Sequence, residues 1–105
     1  MKPNNKQGVL YAVILVNQTT REREAYKIGI TEYKDWKSVT RRAKTFNGYD
    51  ILVLRTWRGT YDECLEHEQR LLKDYAQDRK EMPKFQGHTE CFHLTSALLN
   101  DFPKK

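Results

Sequence analysis

Residues 8–16 read GVLYAVILV, an apolar run without alternation. A strand of that pattern is covered on both faces and belongs inside a sheet rather than at its edge. The polar stretch Asn17 to Glu24 interrupts it and predicts a hairpin turn. Ala25 to Thr31 returns as a second strand whose alternation separates Tyr26, Ile28 and Ile30 from Lys27, Gly29 and Thr31. One face of it is expected in the core and the other polar, with room for close approach at Gly29. Asp35 is placed to cap a helix over Trp36 to Phe46, which Asn47-Gly48 ends. Ile51 to Trp57 predicts a third strand. Thr60, with Glu63 three residues later, forms a capping-box signature that opens a helix running to Ala76. Glu90 to Leu94 reads as a short strand or edge, and Thr95 caps a last short helix. The order β-β-α-β-α, then a closing strand and helix, predicts an α+β fold: a small three-stranded, mainly antiparallel sheet flanked by helices. Residues 1–7 and 103–105 read as tails around a single domain spanning residues 8–102.

Two charges fall where apolar residues belong. Arg42 lies on the stripe of Trp36, Val39, Ala43 and Phe46, whereas Arg41 turns to water. On the second helix Tyr61, Leu65, Leu72 and Tyr75 form a stripe with Glu68 in its middle, and Glu66 points the opposite way. A charge on such a stripe costs several kcal/mol unless it is paired or used. Arg42 and Glu68 therefore pair with each other, snorkel at the edge of their stripes, or belong to a functional site.

Composition narrows the class of partner. The chain has 105 residues, enough for one domain, and 19 Lys and Arg against 14 Asp and Glu leave a net charge of +5, which suits a polyanion. No apolar run approaches the ~20 residues that span a bilayer. With two cysteines and no charged-then-apolar leader, the expected location is the cytoplasm, with reduced thiols. Cys64-x-x-His67 and His88-x-x-Cys91 offer four ligands for a tetrahedral zinc site; the alternative is Cys64 as core filler with ordinary histidines. Arg55, Trp57 and Arg58, with Arg79, Lys80, Lys84 and Phe85, interleave cations with aromatics as phosphate-tracking surfaces do.

Gly8-Val9-Leu10-Tyr11 on the first strand and Lys27-Ile28-Gly29 on the second, followed by Arg42 and Glu68 on two helices, resemble the GIY-YIG nuclease family. The likeness covers residues 8–94. Tyr11 matches the tyrosine of the first motif, Lys27 stands where many members carry the second tyrosine, and Gly29 matches the closing glycine. Arg42 matches the helix arginine, and Glu68, in the run Glu68-Gln69-Arg70-Leu71-Leu72, the metal-holding glutamate. The chain is most similar to a phage and fungal branch that writes the second motif K-I-G-I-T, here Lys27 to Thr31, and ends in Gly-x-x-Glu-x-Phe, here Gly87 to Phe92. It departs from the family in a longer stretch between Tyr11 and Lys27, in Phe46 where many members carry a histidine, and in lacking a late asparagine.

The resemblance implies a DNA endonuclease dependent on Mg2+ or Mn2+, whose products carry a 5′ phosphate and a 3′ hydroxyl. Tyr11 would act as general base towards water. A free phenol titrates near 10, so a neighbouring cation has to lower it, and Lys27 is the one at hand, or it holds the phosphate instead. Arg42 would present its planar fork to the phosphate oxygens. Glu68 would hold the metal. Gly29, Arg41, Arg55, Arg58 and Lys84 would contact substrate. Glu90 reads as a structural or substrate-positioning carboxylate. One site cuts one strand, so a double-strand break needs a homodimer on DNA or two successive nicks. The competing class of function is a module of the same fold that binds nucleic acid, or modulates a nuclease, without cutting.

Overall fold

The structure, a computed structural model, describes residues 6–37, 48–82 and 90–104. Its centre is a four-stranded antiparallel sheet built from β1 (Gln7–Asn17), β2 (Arg23–Glu32), β3 (Tyr49–Thr60) and β4 (Cys91–Phe92), in the order β3-β1-β2-β4. β1 is an inner strand, as its unbroken apolar run requires, and Val9 to Val16 are all buried. The sheet has four strands where three were expected, because Cys91 and Phe92 pair with Lys27 and Tyr26 on the outer side of β2. Those two pairs give part of β2's outer edge a partner, so its backbone groups there are not left to solvent alone.

Each face of the sheet carries its own core. Tyr11, Val13, Leu15, Ala25, Tyr49, Met82 and Cys91 form one cluster, with Trp36 packed against it. Leu10, Ala12, Ile28, Cys64, Leu71, Phe92, Leu98 and Phe102 form the other, under the helix α1 (Tyr61–Asp74). Both faces of β2 are consequently covered. The face expected to be polar is closed over, with Lys27 only 3% exposed and Gly29 buried. The reason is tertiary: Tyr11 of β1 and Cys91 of β4 pack on that side.

α1 starts where the capping box predicts. Thr60 Oγ1 accepts from the Glu63 backbone N–H at 3.2 Å, and Glu63 Oε1 accepts from the Thr60 N–H at 2.9 Å. Replacing Thr60 by Ala removes one half of this exchange and is expected to lower stability by about 1 kcal/mol, read as a lower urea midpoint at unchanged slope. Gly8 lets the start of β1 press on the helix, since a Cβ there would lie 3.0 Å from Tyr61 Cα and 3.2 Å from Cys64 Sγ. α1 buries Cys64, Glu68 and Leu71, so the expected stripe through Leu65 and Leu72 is rotated by one residue and Leu65 is exposed. Tyr61, Glu68 and Tyr75 lie on both stripes. The small Cys64 and the fully buried Leu71 against Leu10 and Ala12 decide between them.

The helix expected over Trp36 to Phe46 is described only at Trp36 and Lys37, after a 3-10 turn at Tyr33–Asp35. Its remainder, with Arg41 and Arg42, lies outside the described residues, as does Lys84. The last segment is a 3-10 turn, Leu98–Asp101, with Ala97 rather than Thr95 at its N-cap. It is held by Arg70 on the Asp101 carbonyl at 2.9 Å and by the Tyr75 hydroxyl on the Asp101 carboxylate. No helix among the described residues is long and apolar enough to cross a membrane.

Candidate active site

Antiparallel pairing places Tyr11 directly opposite Gly29 and Val13 opposite Lys27. Residues two apart on a strand share a face, so Tyr11 and Lys27 stand diagonally on the same side of the sheet. The Lys27 ammonium lies 5.5 Å from the centroid of the Tyr11 ring, within range of a cation–π attraction. The Trp36 ring packs against the Tyr11 ring, tilted by 41° with the centroids 5.4 Å apart. The ring's hydroxyl end occupies the space above Gly29, where any Cβ would collide with it. Close approach at Gly29 is thus already taken up by Tyr11 of the same chain.

A buried ammonium needs a counter-charge. Glu90, immediately before β4, supplies it at 3.5 Å from Lys27 Nζ, and the Ile28 carbonyl accepts at 3.4 Å. Glu68 joins the same electrostatic neighbourhood from α1. Burial, and next the negative charge of Glu90, push its carboxyl up to about 7 from an ordinary 4.5, against the opposing pull of Lys27. Glu68 is 7% exposed. Two carboxylates therefore act on one ammonium, and the second of them stays half-protonated near neutral pH.

The other residues singled out from sequence are placed less favourably. Arg55 pairs with Ala12 and Arg58 with Val9, on opposite faces of the sheet. Their odd spacing along a strand already implies this. Arg58 stacks on Tyr33 at 3.7 Å, and Arg55 turns back to the Leu54 carbonyl at 3.0 Å. Lys80 donates to the Glu24 carbonyl at 2.6 Å, which ties it to β2. Glu90, read from the sequence as structural or positioning, is the ion-pair partner of Lys27, and its place in the Gly-x-x-Glu-x-Phe ending was the available signal.

Of the four candidate zinc ligands, His88 lies outside the described residues, and the other three do not gather. Cys64 and Cys91 belong to clusters on opposite faces, burial pushes both thiols up, Cys91 to about 11, and the His67 ring packs edge-on against Trp57 at 4.6 Å. Among the described residues no group of three or more His, Cys, Asp and Glu side chains is arranged to hold a metal. A magnesium ion asks for less, commonly one or two carboxylates with water and substrate phosphate. The chain matches no protein-family model, no curated protein and no solved structure.

Proposed function

We propose that this protein is a metal-dependent DNA endonuclease that hydrolyses phosphodiester bonds to leave a 5′ phosphate and a 3′ hydroxyl. The observation that carries the reading is the ion pair of a buried lysine, which faces a tyrosine ring, with Glu90, within electrostatic reach of a second carboxylate, Glu68, that is buried and reluctant to ionise. A core assembled for stability alone gains little from such a group. The Glu68 carboxylate also fits a hard divalent cation. Its negative charge is opposed by burial and by Glu90, and a bound cation relieves both.

In this scheme Tyr11 acts as a phenolate: its oxygen takes one proton from the attacking water and becomes the phenol, while the hydroxide so formed bonds to phosphorus and the bond to the 3′ oxygen breaks. Lys27 holds a non-bridging phosphate oxygen, trading its contact with Glu90 for one with substrate, and steadies the charge that grows on phosphorus. Glu68, assisted by Glu90, would hold Mg2+ or Mn2+, which when bound supplies charge neutralisation at the departing 3′ oxygen. The resemblance adds Arg42 as a second donor to the phosphate. The net charge of +5 favours DNA as the partner.

The test is nicking of supercoiled plasmid with Mg2+, with melting curves recorded for every variant. Tyr11→Phe keeps the ring over Gly29 and removes only the hydroxyl, so the expected outcome is an unchanged fold and nicking slower by about 10²-fold. Glu68→Gln is expected to abolish metal-dependent nicking while DNA retention persists. Retention without cutting by any version, wild type included, would establish the non-cutting binding module instead.

A further inference from the structure

Among the described residues β3 forms the far edge of the sheet and pairs on one side only, with β1. Sheet edges are ordinarily short, charged or covered, because a row of open backbone groups recruits other strands. β3 is twelve residues long and carries four consecutive aliphatic residues, Ile51 to Leu54, of which Leu52 and Val53 are 45% and 44% exposed. We infer that the β3 edge joins the β3 edge of a second copy of this chain, antiparallel, to give a twofold-symmetric dimer with one continuous eight-stranded sheet.

The register argues for a second copy rather than another strand. In the pairing with β1, Asp50, Leu52 and Arg55 share the face of Val16, Ile14 and Ala12, and Ile51 and Val53 share the face of Leu15 and Val13, with Leu54 left out of the count by a bulge. A twofold axis normal to the sheet preserves faces, so only residues of the same face can stand opposite each other. Centred on Leu52, it sets Leu52 against Leu52, Ile51 against Val53 and Asp50 against Arg55, twice each for the unlike pairs. The apolar pairs lie in the middle and an opposite-charge pair closes each end. The bulge falls between them. Arg55 is exposed, and Asp50, which accepts from Gln18 at 2.8 Å on one oxygen and from Arg21 at 2.7 Å on the other, has a side chain that is 37% exposed. A strand with an acid at one end of its apolar run and a base at the other is complementary to itself only when antiparallel.

A contact of one strand pair is small, so the dimer is expected to be concentration-dependent and best followed by sedimentation velocity from about 5 to about 500 µM. Wild type is expected to pass from monomer to dimer across this range. Leu52→Lys should remain monomeric throughout, and Arg55→Asp should raise the dissociation constant at least about tenfold through like charges at both ends. The swapped pair Asp50→Arg with Arg55→Asp should recover dimer. Circular dichroism melts show whether each variant is folded, and Val53→Lys replaces Leu52→Lys if the latter is not. A wild type monomeric at every concentration, or a dimer indifferent to Leu52→Lys, Val53→Lys and Arg55→Asp, overturns the inference, whatever the outcome of the nicking assay.

Discussion

Gly29→Ala is expected to destabilise the protein by about 3 kcal/mol, the upper end of what overpacking a core costs. A strand interior ordinarily gains from this change, because alanine loses less backbone entropy than glycine on folding. Here the added Cβ would lie 2.6 Å from Tyr11 Cζ and 3.1 Å from Cε2, and closer still to the hydroxyl oxygen. The ring cannot simply swing aside. Tyr11 is 6% exposed, with Trp36 on one side and the Lys27 ammonium within 5.5 Å. For a chain of this size the melting temperature should fall by roughly 10–20 °C. The decisive measurement is the same substitution in a Tyr11→Ala background, where no ring stands over Gly29. There the alanine should cost less than about 1 kcal/mol, and the difference between the two backgrounds is the coupling between the residues. Equal costs in both backgrounds would show that Gly29 is needed for some reason other than the ring.

Glu68 should make the protein less stable as the pH rises through neutrality. Its carboxyl titrates near 7 in the folded chain and near 4.5 when unfolded. Between these values the folded state holds the proton more tightly, so the stabilisation present below pH 4.5 is lost progressively as the pH approaches and passes 7. That difference corresponds to roughly 3 kcal/mol over the window. Glu68→Gln keeps the shape and removes the titration. Urea unfolding at pH 5 and pH 8 should therefore show wild type losing most of that amount and the variant losing little of it, with the variant the more stable at pH 8. Mg2+ should reverse the trend, since it favours the ionised carboxylate, and should raise the wild-type melting temperature more at pH 8 than at pH 5.5 and leave Glu68→Gln unmoved. Parallel pH profiles for the two proteins would remove Glu68 from the account.

Both expectations join features of unequal visibility in the sequence. Glu68 is legible because a charge at helical spacing among apolar residues violates a short-range rule. That remains so with the stripe rotated, as Glu68 is common to Tyr61-Leu65-Leu72-Tyr75 and to the observed Cys64-Leu71 face. The burial of Lys27 is not legible in the same way. Alternation put it on a face with Gly29 and Thr31, which reads as polar, and only Tyr11 and Cys91 arriving from other strands turn that face into interior. The pairing of Lys27 with Glu90 has the same origin, since the two residues meet only because Cys91 docks beside β2. The separation of Arg55 from Arg58 was open to inspection, because strand period alone divides them.

By itself, the sequence determined the inner position of β1, the hairpin to β2, the strand before Thr60 and the capped start of α1, all of them consequences of hydrogen bonding and periodicity within a few residues of chain. Only the tertiary structure decided that Cys91 and Phe92 extend the sheet, that Tyr11 lies over Gly29, and that Lys27 is buried in an ion pair with Glu90 within electrostatic reach of Glu68. Those arrangements depend on which distant segments exclude water from one another, and desolvation is a property of the packed whole that no local pattern encodes.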